Sequence, residues 1–147
     1  MVLAVSNERY TTLRATLEGR GYTVLPYGET VDDIRETLIT VAGIDLIVMQ
    51  AGANATSNAY SAIRQESRLL ATPVLALAAT PELPRLRRAF DRDVSIEVRP
   101  LGATADGINA TIDGLVDRAS GGEIGEEEAI EYAERAVAAL RDLAVGR

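Results

Sequence analysis

Short apolar runs alternate with amphipathic stretches over residues 2 to 119. "VLAVS" (2–6) is a compact apolar run that fits a buried strand. "NERYTTLRATLEGRG" follows, with Tyr10, Leu13 and Leu17 at helical spacing and glycines at its stop. "YTVLPYG" (22–28) predicts a second strand. Thr30 and Asp33 open a helix in the manner of a capping box, with Val31, Ile34, Leu38 and Val41 on one face. "IDLIVM" (44–49) predicts a third strand, ending at Gln50. A looser helix runs through Tyr60, Ile63, Ser67 and Leu70. "PVLALAA" (73–79) predicts a fourth strand, with its proline at the entry, where no ladder donor is needed. "PELPRLRRAF" (81–90) starts a short helix, and "VSIEVRP" (94–100) predicts a fifth strand. Thr104 caps a last helix carrying Ile108, Ile112, Leu115, Val116 and Ala119.

Five strands alternating with five helices predict a doubly wound, five-stranded parallel α/β sheet. Nearly continuous apolar strands mean that both faces are covered by helices. Functional groups of such a sheet gather at the carboxyl ends of its strands, near the loops at 6–8, 50–53, 78–81 and 99–102. The domain is expected to span 1–119, followed by a polar, Gly-rich linker over 120–128 and an additional C-terminal helix over 129–147. That helix carries Ile130, Ala133, Val137, Leu140 and Ala144 on one stripe.

Composition narrows the chemistry. The chain of 147 residues is 47% hydrophobic and 25% charged, as expected of a globular domain. It has no Cys and no His, so thiol nucleophiles, thiolate metal sites and histidine bases are excluded. Its 15 basic residues are all Arg, which excludes Schiff-base and P-loop lysines. The net charge of −7 opposes binding to nucleic acid or to anionic membrane surfaces. No apolar run is long enough to span a bilayer, and the N-terminus does not read as a signal peptide, so the expected compartment is cytoplasmic. The acidic runs Asp32-Asp33 and Glu126-Glu127-Glu128 stand at helix starts, where the helix dipole accounts for them. No nucleophile stands beside a base, and enzymatic activity is not expected.

"LRATLEGRGYTV", "IDLIVM", "TPVLALAAT" and "VRPLGA", taken in that order, resemble the response-regulator receiver (CheY-like) domain of two-component signalling. The resemblance covers residues 2 to about 119. It implies a flavodoxin-like fold with strand order 2-1-3-4-5. It also implies five functional positions: an acceptor aspartate, an acidic pair holding Mg²⁺, a hydroxyl residue and a lysine. Here Gln50 stands for the acceptor, Ser6 and Asn7 for the acidic pair with Glu8 just beyond, Ala78 for the hydroxyl residue, and Arg99 for the lysine. An amide is no phosphoryl acceptor, and three neutral side chains make a poor Mg²⁺ site. The resemblance therefore implies a degenerate pseudo-receiver that cannot be phosphorylated and holds no cofactor or metal.

Three uses of such a domain are open. The first is a protein-protein interaction or dimerisation module, part of a larger regulatory or scaffold protein. Its face combines Arg85, Arg88 and Arg92, spaced i, i+3, i+7 along the fourth predicted helix, with Asp113 and Asp117 on the fifth. An arginine-rich patch on an acidic chain suits an acidic protein surface or a second copy; isolated surface ion pairs, which contribute little, are the plainer alternative. The second is a small-molecule sensor at the strand ends, through Ser6, Asn7, Thr11, Gln50, Asn54 and Thr80. The third, an enzyme, has no residues in its favour.

Overall fold

A computed structural model describes residues 2–3, 7–25, 28, 32–34, 37, 40–41, 43–121, 130, 133–134, 137 and 141. Its main elements are β1 (Val2–Leu3), α1 (Asn7–Glu18), β2 (Ile47–Gln50), α2 (Ala53–Gln65), β3 (Val74–Ala78), α3 (Leu83–Ala89), β4 (Ile96–Pro100) and α4 (Ala105–Ser120). The four strands form one parallel sheet in the order β1-β2-β3-β4. β2 and β3 are buried along their whole length, as their runs of apolar residues, closed in β2 by Gln50, require.

Alternating side chains send β2 and β3 to two separate cores, and β4 contributes to one of them. Ile47, Met49, Val74, Ala76, Ile96 and Val98 meet Tyr60 and Ile63 of α2 and Leu83 and Leu86 of α3. Val48, Leu75 and Leu77 meet Leu13 and Leu17 of α1 and Ile108, Ile112 and Leu115 of α4. The result is three layers, with α2 and α3 on one face and α1 and α4 on the other.

Local signals fix most boundaries. Thr104 Oγ1 accepts from the Gly107 N–H at 3.1 Å and caps α4 as expected. Gly121 ends α4 with φ at 78°, a left-handed turn that glycine adopts at little cost. The looser helix predicted through Leu70 stops earlier, at Gln65. Glu66 is extended there, and a separate 3-10 turn, Ser67–Leu69, follows. Arg64 explains the break: its Nη1 donates to the carbonyls of Leu69, Leu70 and Thr72 at 2.7, 3.0 and 3.0 Å. These bonds hold the turn against the end of α2, in place of a continuing helix.

Four strands are present among the described residues, where five were expected. Tyr22–Leu25, the described start of the second predicted strand, joins no ladder; residues 26 and 27 lie outside the described ones. Its side chains still alternate, since Tyr22 and Val24 pack on one core and Leu25 on the other. A cavity of about 290 Å³ separates this segment from Gly43–Leu46. The helix expected from Thr30 is described only at a 3-10 turn, Asp32–Ile34, and at helical Thr37 and Thr40. Thr30 itself lies outside the described residues, as does linker segment 122–128. Of the C-terminal helix, Ile130, Ala133, Glu134, Val137 and Arg141 are described, and each is helical and exposed. Among the described residues no helix is long and apolar enough to cross a membrane.

Candidate functional site

The carboxyl ends of β2, β3 and β4 lie in register along one edge of the sheet. Gln50 pairs with Leu77, and Ala78 pairs with Pro100. Gln50 is the last residue of β2 and only 5% exposed. Ala78, the last residue of β3, is fully buried and offers no hydroxyl. Thr80, two positions on, is exposed and begins a 3-10 turn. Asn7 and Glu8 open α1, and Ser6 lies outside the described residues. Among the described residues no group of three or more carboxylates gathers to hold a metal ion.

Arg99 does not serve this edge. Its Nη2 meets Glu97 Oε1 at 3.4 Å, two residues back on the same face of β4. Arg118 of α4 approaches the other oxygen of Glu97, also at 3.4 Å. One carboxylate thus gathers two guanidinium groups beside the free edge of β4.

The loops after β2 and β3 are joined by Glu82, which the sequence did not single out, and by Arg85 and Asn54, which it set in two different sites. α2 begins at Gly52 with no side-chain cap and no acidic residue in its first turn. Its exposed amide donors need an acceptor from elsewhere. Glu82 supplies one, taking the Ala53 N–H on Oε1 at 3.0 Å. The same oxygen stands 3.3 Å from where a Cβ on Gly52 would sit, so a side chain at that position would crowd the carboxylate. Arg85 Nη2 donates to Asn54 Oδ1 at 2.7 Å beside it. The absence of any local cap at Gly52 was the one sequence signal for this arrangement.

The five residues selected for an interaction face do not act together. Arg85 is bound to Asn54, as above. Asp113 bonds Arg20, beyond the end of α1, at 2.5 Å. Arg92 lies beyond α3, because the helix ends at Ala89 and Phe90 turns inward against Tyr60. Arg88 and Asp117 are exposed. A different grouping emerges along the free edge of β4, where a groove of about 760 Å³ is lined by apolar Phe90 and Val94, by Arg87, Arg92, Arg99 and Arg118, and by Asp91, Asp93 and Glu97. Val94 is 72% exposed there.

Asp93, which lines this groove, belongs to a polar cluster. The Tyr60 hydroxyl donates to Asp93 Oδ2 at 2.5 Å, and the Ser95 N–H donates to Asp93 Oδ1 at 2.9 Å. The Arg64 guanidinium stacks 4.6 Å from the centre of the Tyr60 ring. Burial, then the bond to Asp93, raises the pKa of Tyr60. Burial opposes the charge on Asp93, but the bonds from Tyr60 and Ser95 outweigh it and lower its pKa. The bond therefore stabilises the fold between the unfolded pKa values of Asp and Tyr, about 4 and about 10. Its acid-side contribution is lost as pH falls through the lowered Asp93 value, and its alkaline-side contribution as pH rises through the raised Tyr60 value. Tyr60→Phe is expected to cost about 1 kcal/mol at pH 7 and progressively less below about pH 4. Urea unfolding across that range measures the gap, and a gap independent of pH contradicts this account.

Compared with known proteins, the chain matches no family model, no curated protein and no solved structure.

Proposed function

We propose that the chain is a pseudo-receiver that cannot be phosphorylated and that works as a protein-protein interaction or dimerisation module in cytoplasmic signalling. Its partner is an acidic protein surface or a second copy. The observation that carries this reading is the groove at the β4 edge. Apolar Phe90 and Val94 are lined there by a charged rim of Arg87, Arg92, Arg99 and Arg118 with Asp91, Asp93 and Glu97; Arg87 and Arg92 are its cations not engaged by Glu97, on a chain of net charge −7. An exposed apolar spot with a charged rim is how docking surfaces are built.

The degenerate site fits the same reading. Gln50 and Ala78 stand at strand ends where phosphoryl chemistry would need an aspartate and a hydroxyl. The placement of the helices supports a complete flavodoxin-like order of 2-1-3-4-5. Right-handed crossovers put α2 and α3 on one face as the chain moves from β2 to β4. α1 lies on the opposite face, so the chain after it turns back past β1, where Tyr22–Leu25 would form the outer strand. The sensor reading draws less support: Asn54 is already bound to Arg85, and neither cavity described above is lined by Gln50, Asn54 or Thr80.

Arg92→Glu tests the proposal. The substitution reverses a charge in the groove without touching either core. It should weaken self-association, or retention of an acidic partner, by roughly tenfold while the circular dichroism spectrum stays unchanged. Sedimentation equilibrium and a pull-down read the two cases. Undiminished association in both sinks this face as the interface.

A further inference from the structure

β4 is the last strand in the sheet order, and among the described residues it pairs with β3 alone. Its bonds to β3 fix which main-chain groups remain. The Val74 N–H donates to the Ser95 carbonyl at 2.8 Å, and the Leu101 N–H donates to the Ala78 carbonyl at 2.9 Å. Alternation along the strand therefore turns the main-chain groups of Ser95, Glu97, Arg99 and Leu101 towards β3, and those of Ile96, Val98 and Pro100 outwards. The groove of about 760 Å³ runs along this edge, since Ile96, Glu97, Val98 and Arg99 all line it. An edge strand with unpaired N–H and C=O groups is a template for another strand. We propose that this edge pairs with the same strand of a second copy, antiparallel and centred on Val98, so that one sheet runs through both copies. The proposal rests on the reading of this face as an interface and adds its occupant and its mode of contact.

Symmetry and charge select the register. A closed pair of identical edges is antiparallel, because symmetric parallel strands would face donor to donor and acceptor to acceptor. Well-overlapped antiparallel pairs centre on Glu97, Val98 or Arg99. Centring on Glu97 sets carboxylate against carboxylate, and centring on Arg99 sets guanidinium against guanidinium. Centring on Val98 places each Glu97 directly opposite Arg99 of the second copy. Val98 then exchanges a bond in each direction with its equivalent, and each Ile96 N–H meets a Pro100 carbonyl. Proline has no N–H, and this register asks it only to accept. The side chains suit the exchange. Ile96 and Val98 enter the core under α2 and α3, so Glu97 and Arg99 stand on the opposite face, beside Arg118 of α4. The intrachain contacts of Glu97 with Arg99 and Arg118 are both at 3.4 Å, longer than the roughly 2.7–2.9 Å of a close charge-assisted bond. Arg99 Nε is buried with no hydrogen-bond partner among the described residues. A carboxylate arriving from across the edge supplies that acceptor.

Charge reversal in trans tests the pairing. Intact chains of wild type, Glu97→Arg and Arg99→Glu are compared by sedimentation equilibrium, each alone and the two variants mixed. Each variant alone sets like charges opposite each other and is expected to self-associate roughly tenfold more weakly than wild type. The mixture restores both opposite-charge pairs and should recover most of the loss. Contacts within one chain are the same alone and mixed, so recovery comes only from across an interface. No recovery on mixing overturns the strand pairing, whereas weakening by Arg92→Glu would still uphold the face. Wild type that stays monomeric overturns the second copy as occupant, and retention of an acidic partner then decides the broader reading. Register is read by cross-linking Glu97→Cys to Arg99→Cys, in a chain with no native cysteine. A disulfide that forms faster in the mixture than in either variant alone supports the Val98 centre. Faster self-cross-linking of either variant overturns that register.

Discussion

The Gln50→Asp protein is expected to be about 2 kcal/mol less stable than its parent at pH 7 and to take up no phosphoryl group. Position 50 is 5% exposed, at the end of β2 and in register with Leu77. A carboxylate there loses hydration, and Arg99, the cation nearest to that role in the receiver pattern, is bound to Glu97. Desolvation raises the pKa of the new aspartate. The penalty is therefore full above that raised value and shrinks as pH falls towards the unfolded value near 4. Urea midpoints at pH 7 and pH 4.5 should converge on those of the parent at the lower pH. Phosphorylation fails for separate reasons. Ala78 has no hydroxyl, and Ser6 and Asn7 carry no charge for Mg²⁺. Intact mass after exposure to acetyl phosphate and Mg²⁺ checks this, and an acyl phosphate on the introduced carboxylate would refute it.

Arg64→Ala should have the larger effect on stability, about 3 kcal/mol. One guanidinium nitrogen serves three carbonyls, of Leu69, Leu70 and Thr72, and the group also covers the Tyr60 ring. Removing it strands acceptors around a turn that delivers the chain to β3. Arg64→Lys retains the charge but not the planar fork, so it should recover less than half of the loss. Chemical denaturation measures both. A cost below about 1 kcal/mol for the alanine variant would mean that solvent replaces these bonds freely.

The parts of the fold legible in the sequence are those set by neighbouring residues. Ile47–Gln50 and Val74–Ala78 are strands because their apolar runs leave little alternative, and Ile96–Pro100 because its apolar and charged residues alternate. α4 runs from the Thr104 cap to the Gly121 stop because both signals are local. What escaped the sequence depends on groups far apart along the chain. Glu82 serves an amide at Ala53, Arg85 binds Asn54, and Asp113 binds Arg20. Helical spacing put Arg85, Arg88 and Arg92 on one face. It could not show that Phe90 would leave the helix for Tyr60 and carry Arg92 with it. Gln50 ends its strand as expected, and Ala78 ends its own one residue before the expected end.

Glu82 also bears on how this edge of the sheet would meet dissolved anions. Its carboxylate already occupies a donor at the start of α2. It is a tethered ligand, and its local concentration there is on the order of millimolar or above. A free phosphate or acidic metabolite would have to outcompete an acid that never diffuses away. The start of α2 thus carries its own anion, supplied by the loop after β3.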